Sequence, residues 1–310
     1  MKALVYTGAG TVELLERPRQ TIQDPTDAVI RLLHASIGGT DLHILKGDEG
    51  VGIVEELSSA VHSLQIGDRV LISCMTSCGA CRYCQRGIAS HCQTGGWVLG
   101  NQVDGTQAEY VRVPHATLSM HLLPTSIPSC AAVAISDAAN VQSGRSVMII
   151  GAGPVGMTTL LTARLYTPSL IVMVDLDDAR LATARELGAH ATVNASHPNA
   201  LQQLMNLGGG YGFDSVIEVV GISATFTLCQ ESVAIGGRIA NIGVHSTKAQ
   251  FRFPAGIHMS LVNATATPRL LRLVESGVLD IGSLVTHSFS IEEASKAYET
   301  FQTASQHKAF

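Results

Sequence analysis

Four cysteines, Cys78, Cys81, Cys84 and Cys92, fall within fifteen residues at the spacing C-x2-C-x2-C-x7-C, in a stretch otherwise rich in glycine and polar residues. Thiolates are soft ligands suited to zinc, and four of them complete a tetrahedral shell with no position left for water or substrate. A zinc held this way organises a loop; the competing reading is a set of free surface thiols. A second constellation, Gly151-x-Gly153-x-x-Gly156, follows directly on the apolar run SVMII, and Asp175 ends the next apolar run, LIVMVD, nineteen residues after Gly156. Glycines at this spacing let the backbone, with Val155 inside the turn, approach a pyrophosphate, and Pro154 suits the first turn of a helix whose N–H groups and dipole face the anion. A carboxylate at Asp175 would accept hydrogen bonds from both ribose hydroxyls and repel a 2′-phosphate, so the expected cofactor is NAD rather than NADP. Arg180 either reaches the same adenosine ribose or is an exposed helical arginine. Outside this context the glycine triplet would mean only a tight turn.

Positioning these groups takes two kinds of architecture. Before Asp137 the chain is a series of short alternating stretches broken by Gly, Asp and Pro, as in AVIRLLHASIGG, GVGIVEEL, DRVLISC and AEYVRVP, which predicts a β-rich domain. From Ser146 the pattern becomes strand, glycine turn, helix, strand, followed by the helix DDARLATARELGA closed at Gly188 and the buried strands SVIEVV and GRIANIGV. That succession predicts a parallel sheet covered on both faces. The tail after Thr265 reads as the helix PRLLRLVESG, the short strand VTHSF and the helix IEEASKAYETF.

With 310 residues, 46% of them hydrophobic, the chain can bury two cores. A net charge of −5 with scattered Lys and Arg gives no electrostatic footprint for nucleic acid. No apolar run reaches membrane-spanning length, and MKALVYTGAG reads as a first strand rather than an export signal, so a cytoplasmic protein is expected. Among the seven cysteines, Cys74, Cys130 and Cys229 sit in apolar stretches and read as small core residues.

The two constellations in this order, together with IGGTDLHILKGD, GVGIVEE, GDRVLISC, GWVLGNQVDGTQAEYVRVPHA, IIGAGPVGM, VDLDDAR and NIGV, make the chain resemble the zinc-dependent medium-chain alcohol dehydrogenases over nearly its whole length. The resemblance implies an α/β fold in which a doubly wound Rossmann sheet is inserted into a β-rich GroES-like catalytic domain. The expected division is residues 1–139 with the zinc lobe at 78–92, residues 140–264 binding NAD, and residues 265–310 returning to the first domain. It also implies one structural zinc per chain, cofactor contacts from Ile242, Gly243 and Val244, a small alcohol or carbonyl substrate, and a homodimer or homotetramer.

The family's catalytic zinc is held by a Cys in a C-G-T/S-D-x-H segment, a His in a G-H-E segment and a Cys or Asp near the domain junction. In this sequence Gly38 stands at the first position, the chain runs from Gly47-Asp48 straight into Glu49-Gly50-Val51 without the histidine, and Asp137 keeps the third. Thr40 and His43 match the family's proton relay from the alcohol hydroxyl, and Glu49 with Asp137 is the remnant of the metal site, to which Asp48 adds a further carboxylate. Three readings stand: an NAD-linked alcohol or aldehyde oxidoreductase with altered metal binding, a metal-free reductase of the same fold with Thr40 or His43 as acid or base, and a degenerate or shortened chain that binds NAD without turnover.

Overall fold

The computed structural model describes residues 1–8, 11–37, 50–124, 141–243, 245, 256–259, 264–280, 282–285 and 287–306. They fall in two compact units, Met1–Ala132 with Val262–Gln306, and Val133–Leu261.

In the first unit, β1 (Lys2–Gly8) and β2 (Thr11–Glu16) form an antiparallel hairpin. A five-stranded antiparallel sheet runs in the order β6-β3-β4-β5-β7, with β3 at Ala28–Ala35, β4 at Gly50–Leu57, β5 at Arg69–Ile72, β6 at Tyr110–Val113 and β7 at Met120–Leu122. Its buried side chains, among them Ile30, Val54, Val70, Ile72, Val111 and Val113, meet in one core. Alternate residues of a strand face the same side, which is why the β-branched positions 111 and 113 both point inward. The cysteine lobe leaves this sheet after β5 and returns before β6. It contains the short helix α1 (Arg82–Gln85), and α2 (Ala116–Ser119) follows β6.

The second unit holds six parallel strands: β8 (Ser146–Ile150), β9 (Leu170–Asp175), β10 (Ala191–Asn194), β11 (Phe213–Glu218), β12 (Val233–Asn241) and β13 (Gly256–Met259). Their order is β10-β9-β8-β11-β12-β13, which is the doubly wound order with its reversal between β8 and β11. Helices α3 (Pro154–Arg164), α4 (Asp178–Glu186), α5 (Ala200–Leu207) and α6 (Ser223–Ser232) lie between successive strands. Residues Val147–Ile150 and Ile171–Asp175 are buried throughout, as strands covered on both faces must be.

The chain then continues into α7 (Thr267–Glu275) and α8 (Ala294–Gln306). Leu271 of α7 packs with Val51, Leu71 and Leu123, and the Tyr298 hydroxyl donates to Gln107 Oε1 at 2.7 Å, so both helices belong to the first unit. The strand expected at VTHSF is absent among the described residues of that segment. His287 and Phe289 stack face to face there, 6.1 Å apart, as alternate side chains of an extended chain do, but no ladder pairs that backbone. No helix among the described residues is long and apolar enough to cross a membrane.

Candidate functional site

The turn from β8 into α3 carries the glycine triplet. Gly151 has φ +107°, a left-handed backbone disfavoured for any side chain, and a Cβ there would lie 2.8 Å from Val220 Cγ2. A Cβ on Gly156 would overlap the Gly151 carbonyl oxygen, so the helix can start this close to the strand only with glycine at 156. Gly153 differs: it is the residue before α3, and nothing lies within 4 Å of where its Cβ would be. Pro154 opens the helix, no side chain caps its N–H groups, and its first turn holds no acidic residue. An open glycine beside uncapped N–H donors and a positive dipole end is a fit for a pyrophosphate.

Asp175 ends β9 next to this turn and is 4% exposed. Its Oδ2 accepts from Ala152 N at 2.6 Å, and its Oδ1 accepts from Leu176 N at 2.8 Å and Asp177 N at 2.9 Å. A carboxylate has about four acceptor positions, so three backbone donors leave about one for a ribose hydroxyl. Asp175 therefore braces the glycine turn as well as ending the strand. Arg180 sits in the first turns of α4 with its Nε 3.5 Å from Asp177 Oδ2. Asp177 is the N-cap of that helix, accepting from Ala179 N at 2.8 Å.

At the ends of β11 and β12, sequence reasoning missed Glu218, a fully buried acid. Its Oε1 accepts from Val220 N at 3.0 Å, Gly221 N at 2.8 Å and the Thr225 hydroxyl at 2.7 Å. Its Oε2 lies 3.4 Å from His245 Nε2, which contacts Asn241 Oδ1 at 2.8 Å. The Ile242 and Gly243 N–H groups both donate to the Glu218 carbonyl, and a Cβ on Gly243 would overlap Gly221 N and Glu218 Oε2. The expected contact residues Ile242 and Gly243 thus have a backbone fixed by Glu218. The signal for it was an acid inside the apolar run SVIEVV, since a buried carboxylate must find donors. Val244 lies outside the described residues.

In the first unit, the sulfurs of Cys78, Cys81, Cys84 and Cys92 all lie within 4.8 Å of one another, Cys81 and Cys84 being 3.5 Å apart and Cys81 and Cys92 4.0 Å. A tetrahedral zinc with bonds of about 2.3 Å separates its sulfurs by about 3.8 Å, so the four fit one ion. Two hydrogen bonds between Thr76 and Gly96, of 2.9 and 2.7 Å, close the base of the lobe. Backbone N–H groups point at the sulfurs: Cys78 N to Cys92 Sγ at 3.3 Å and Cys81 N to Cys78 Sγ at 3.4 Å. Backbone donors at Cys84 and Gln93 bring the Cys81 thiol down to about 6, while burial and the neighbouring Cys81 push Cys84 up to about 12. Burial works against ionisation of Cys78, but the N–H groups of Ala80 and Cys81 and the hydroxyl of Thr94 lower it overall. Cys229 is a core residue, as read from the sequence, whereas Cys74 is half-buried. Cys130, Thr40, His43, Asp48, Glu49, Asp137 and Gly38 lie outside the described residues.

Known proteins match both units. The profile "Alcohol dehydrogenase GroES-like domain" matches residues 24–125 and "Zinc-binding dehydrogenase" matches residues 154–267. An alcohol dehydrogenase of Cupriavidus necator is 33% identical, with 97% of this chain and 95% of that protein covered. The apo form of zinc dependent alcohol dehydrogenase 2 from Streptococcus pneumonia has 40% identity and a TM-score of 0.94, covering 99% of this chain and 96% of that one. Alcohol dehydrogenase TADH from Thermus sp. ATN1 has 31% identity and a TM-score of 0.90, covering 98% and 97%. With two family profiles in sequence and this identity across nearly its full length, the chain belongs to the zinc-dependent medium-chain alcohol dehydrogenase family.

Proposed function

We propose that this chain is an NAD(H)-linked oxidoreductase that moves a hydride between the carbinol carbon of a small alcohol, or the carbonyl carbon of its aldehyde or ketone, and the nicotinamide ring. The observation that carries this reading is the β8–α3 turn, where Gly156 packs on Gly151 while Gly153 and uncapped N–H groups leave space for a pyrophosphate. Bound NAD supplies the hydride acceptor. The chain's own residues orient it: the α3 N-terminus takes the pyrophosphate, Asp175 with its remaining acceptor position takes an adenosine ribose hydroxyl and disfavours a 2′-phosphate, and Arg180 flanks that ribose. Ile242 and Gly243, whose backbone Glu218 holds, line the nicotinamide end, and Val244 is assigned beside them by the family resemblance. In alcohol oxidation one proton must leave the hydroxyl as the hydride leaves the carbon; Thr40 and His43 are assigned to carry it by their match to the family's relay. Cys78, Cys81, Cys84 and Cys92 hold a structural zinc, which fixes the lobe and performs no step of the reaction. Asp137 and Glu49 are assigned as the remnant of the second metal site.

The family's organisation further supports domain limits of 1–139, 140–264 and 265–310, a homodimer or homotetramer, and a cytoplasmic location as parts of the same proposal.

A second reading, NAD binding without turnover, is favoured by Gly38 at a ligand position. It is also favoured by the Cupriavidus alignment, whose 348 positions exceed the 310 residues of this chain, so that relative carries residues this chain lacks. Zinc per chain, measured with NADH formation on a panel of primary and secondary alcohols, separates the two. NADH formation on any alcohol supports the first reading. One zinc per chain, tight NADH binding and no turnover on the panel supports the second.

A further inference from the structure

A tetrahedral ion of charge +2 among four thiolates leaves a net charge of −2, and hydrogen-bond donors to the sulfurs are the protein's means of spreading it. Backbone N–H groups supply several such contacts, among them Cys78 N to Cys92 Sγ and Cys81 N to Cys78 Sγ. The Thr94 side chain joins them: its Oγ1 lies 3.8 Å from Cys92 Sγ and also bonds to Cys78.

His115 determines how that hydroxyl is held. Its Nε2 is 2.9 Å from the Thr94 carbonyl oxygen and 3.0 Å from Thr94 Oγ1. A carbonyl oxygen carries no proton, so Nε2 is the donor, and Thr94 Oγ1 accepts on this side with its own proton directed elsewhere. The Cys92 sulfur, 3.8 Å away, is an acceptor for that proton, and the Cys78 sulfur is a second. On the far side of the ring, Nδ1 lies 3.5 Å from the Thr26 hydroxyl, which donates to Asp24 Oδ1 at 3.0 Å.

The backbone of His115 reaches the other end of the same lobe. Its carbonyl accepts from the Ser119 hydroxyl at 2.8 Å, and Ser119 Oγ accepts from Ser77 N at 3.3 Å. Ser77 precedes Cys78, and Thr94 is two residues past Cys92. One residue outside the lobe therefore ties the segment entering it and the segment leaving it. His115 does this with φ 50° and ψ 43°, a left-handed conformation uncommon for a residue with a side chain.

We propose that Thr94 and His115 form a strap on the structural metal site: the Thr94 hydroxyl donates to the thiolates of Cys92 and Cys78, and His115 orients that hydroxyl while fixing both ends of the lobe. They are positioning residues for the metal and touch no substrate. The inference rests on the four-thiolate zinc reading.

The test uses the full chain, loaded with zinc for release to a colorimetric chelator and with cobalt(II) for the thiolate-to-metal charge-transfer bands. Removing a donor of this kind costs about 10–100-fold in metal retention, so Thr94→Val should release zinc at least about tenfold faster and shift the cobalt bands. Thr94→Ser keeps the hydroxyl and should restore both. His115→Gly removes the ring but suits the left-handed backbone, so a purely conformational role predicts equal or greater stability, whereas the strap predicts faster zinc release. Release rates and cobalt bands for Thr94→Val and His115→Gly that match the unmodified chain would overturn the strap alone. An unmodified chain that takes up cobalt without a tetrathiolate spectrum would overturn the zinc reading and the strap together.

Discussion

Gly153 and Gly156 are both glycine for reasons that predict opposite mutational outcomes. A Cβ at 156 has no space, because the Gly151 carbonyl occupies it, and overpacking of this kind costs roughly 1–3 kcal/mol. Gly156→Ala should therefore lower the melting temperature of the chain without cofactor. A Cβ at 153 meets nothing within 4 Å, so Gly153→Ala should leave that temperature unchanged while weakening NADH by about tenfold or more, as a methyl group intrudes on the pyrophosphate. Calorimetry paired with NADH titration checks both; equal effects of the two substitutions on stability would contradict the assignment. These glycines were legible in the sequence because their roles are backbone roles, which residue type alone encodes. Asp175 was legible only in part: its place at the end of β9 follows from the apolar run before it, but its bonds to the N–H groups of residues 152, 176 and 177 depend on how the turns fold. For Glu218 the acid inside an apolar run signals that donors must gather around it, but which ones, Val220 N, Gly221 N and the Thr225 hydroxyl, depends on how the chain folds after β11.

Elements in the parallel sheet are pinned by polar contacts at their starting ends. Asp214, near the start of β11, accepts from Ser146 N and from the Ser146 hydroxyl, both at 2.9 Å, and from Arg145 at 3.0 Å, joining β11 to β8 at the switch in strand order. Partial burial raises the Asp214 carboxyl, but these donors outweigh it and hold the group below the usual carboxylate range. A folded-state value below the unfolded one means stabilisation that is complete above the unfolded value, about 3.9, and disappears as pH falls through the folded value. Asp214→Asn should cost about 1 kcal/mol at pH 7, given its partial exposure, and the difference from the unmodified chain should shrink towards pH 3. Urea unfolding at both pH values checks this, and a difference independent of pH would contradict it. The strand and helix order of this sheet was legible because buried runs, glycine turns and helical spacing alternate regularly. The segment VTHSF misled because alternation describes an extended backbone, whereas a strand also needs a partner for its N–H and C=O groups.

For the whole molecule, the two units have separate hydrophobic cores, one built on the antiparallel sheet and one on the parallel sheet. The cysteine lobe belongs to the first and the glycine turn to the second. Stripping zinc with a strong chelator should therefore loosen residues 76–96 to proteolysis while leaving ADP-ribose binding within about twofold, since that ligand needs only the parallel-sheet unit. Loss of ADP-ribose binding on zinc removal would show that the units do not behave separately. Calorimetric titration of the purified chain with NADH and with NADPH tests whether the parallel-sheet unit is an NAD site selected against a 2′-phosphate by Asp175. Saturable one-site binding of NADH at least about tenfold tighter than NADPH is expected, the acidic residue at the end of β9 being the discriminating group. Equal or tighter binding of NADPH, or no binding of either, would contradict it.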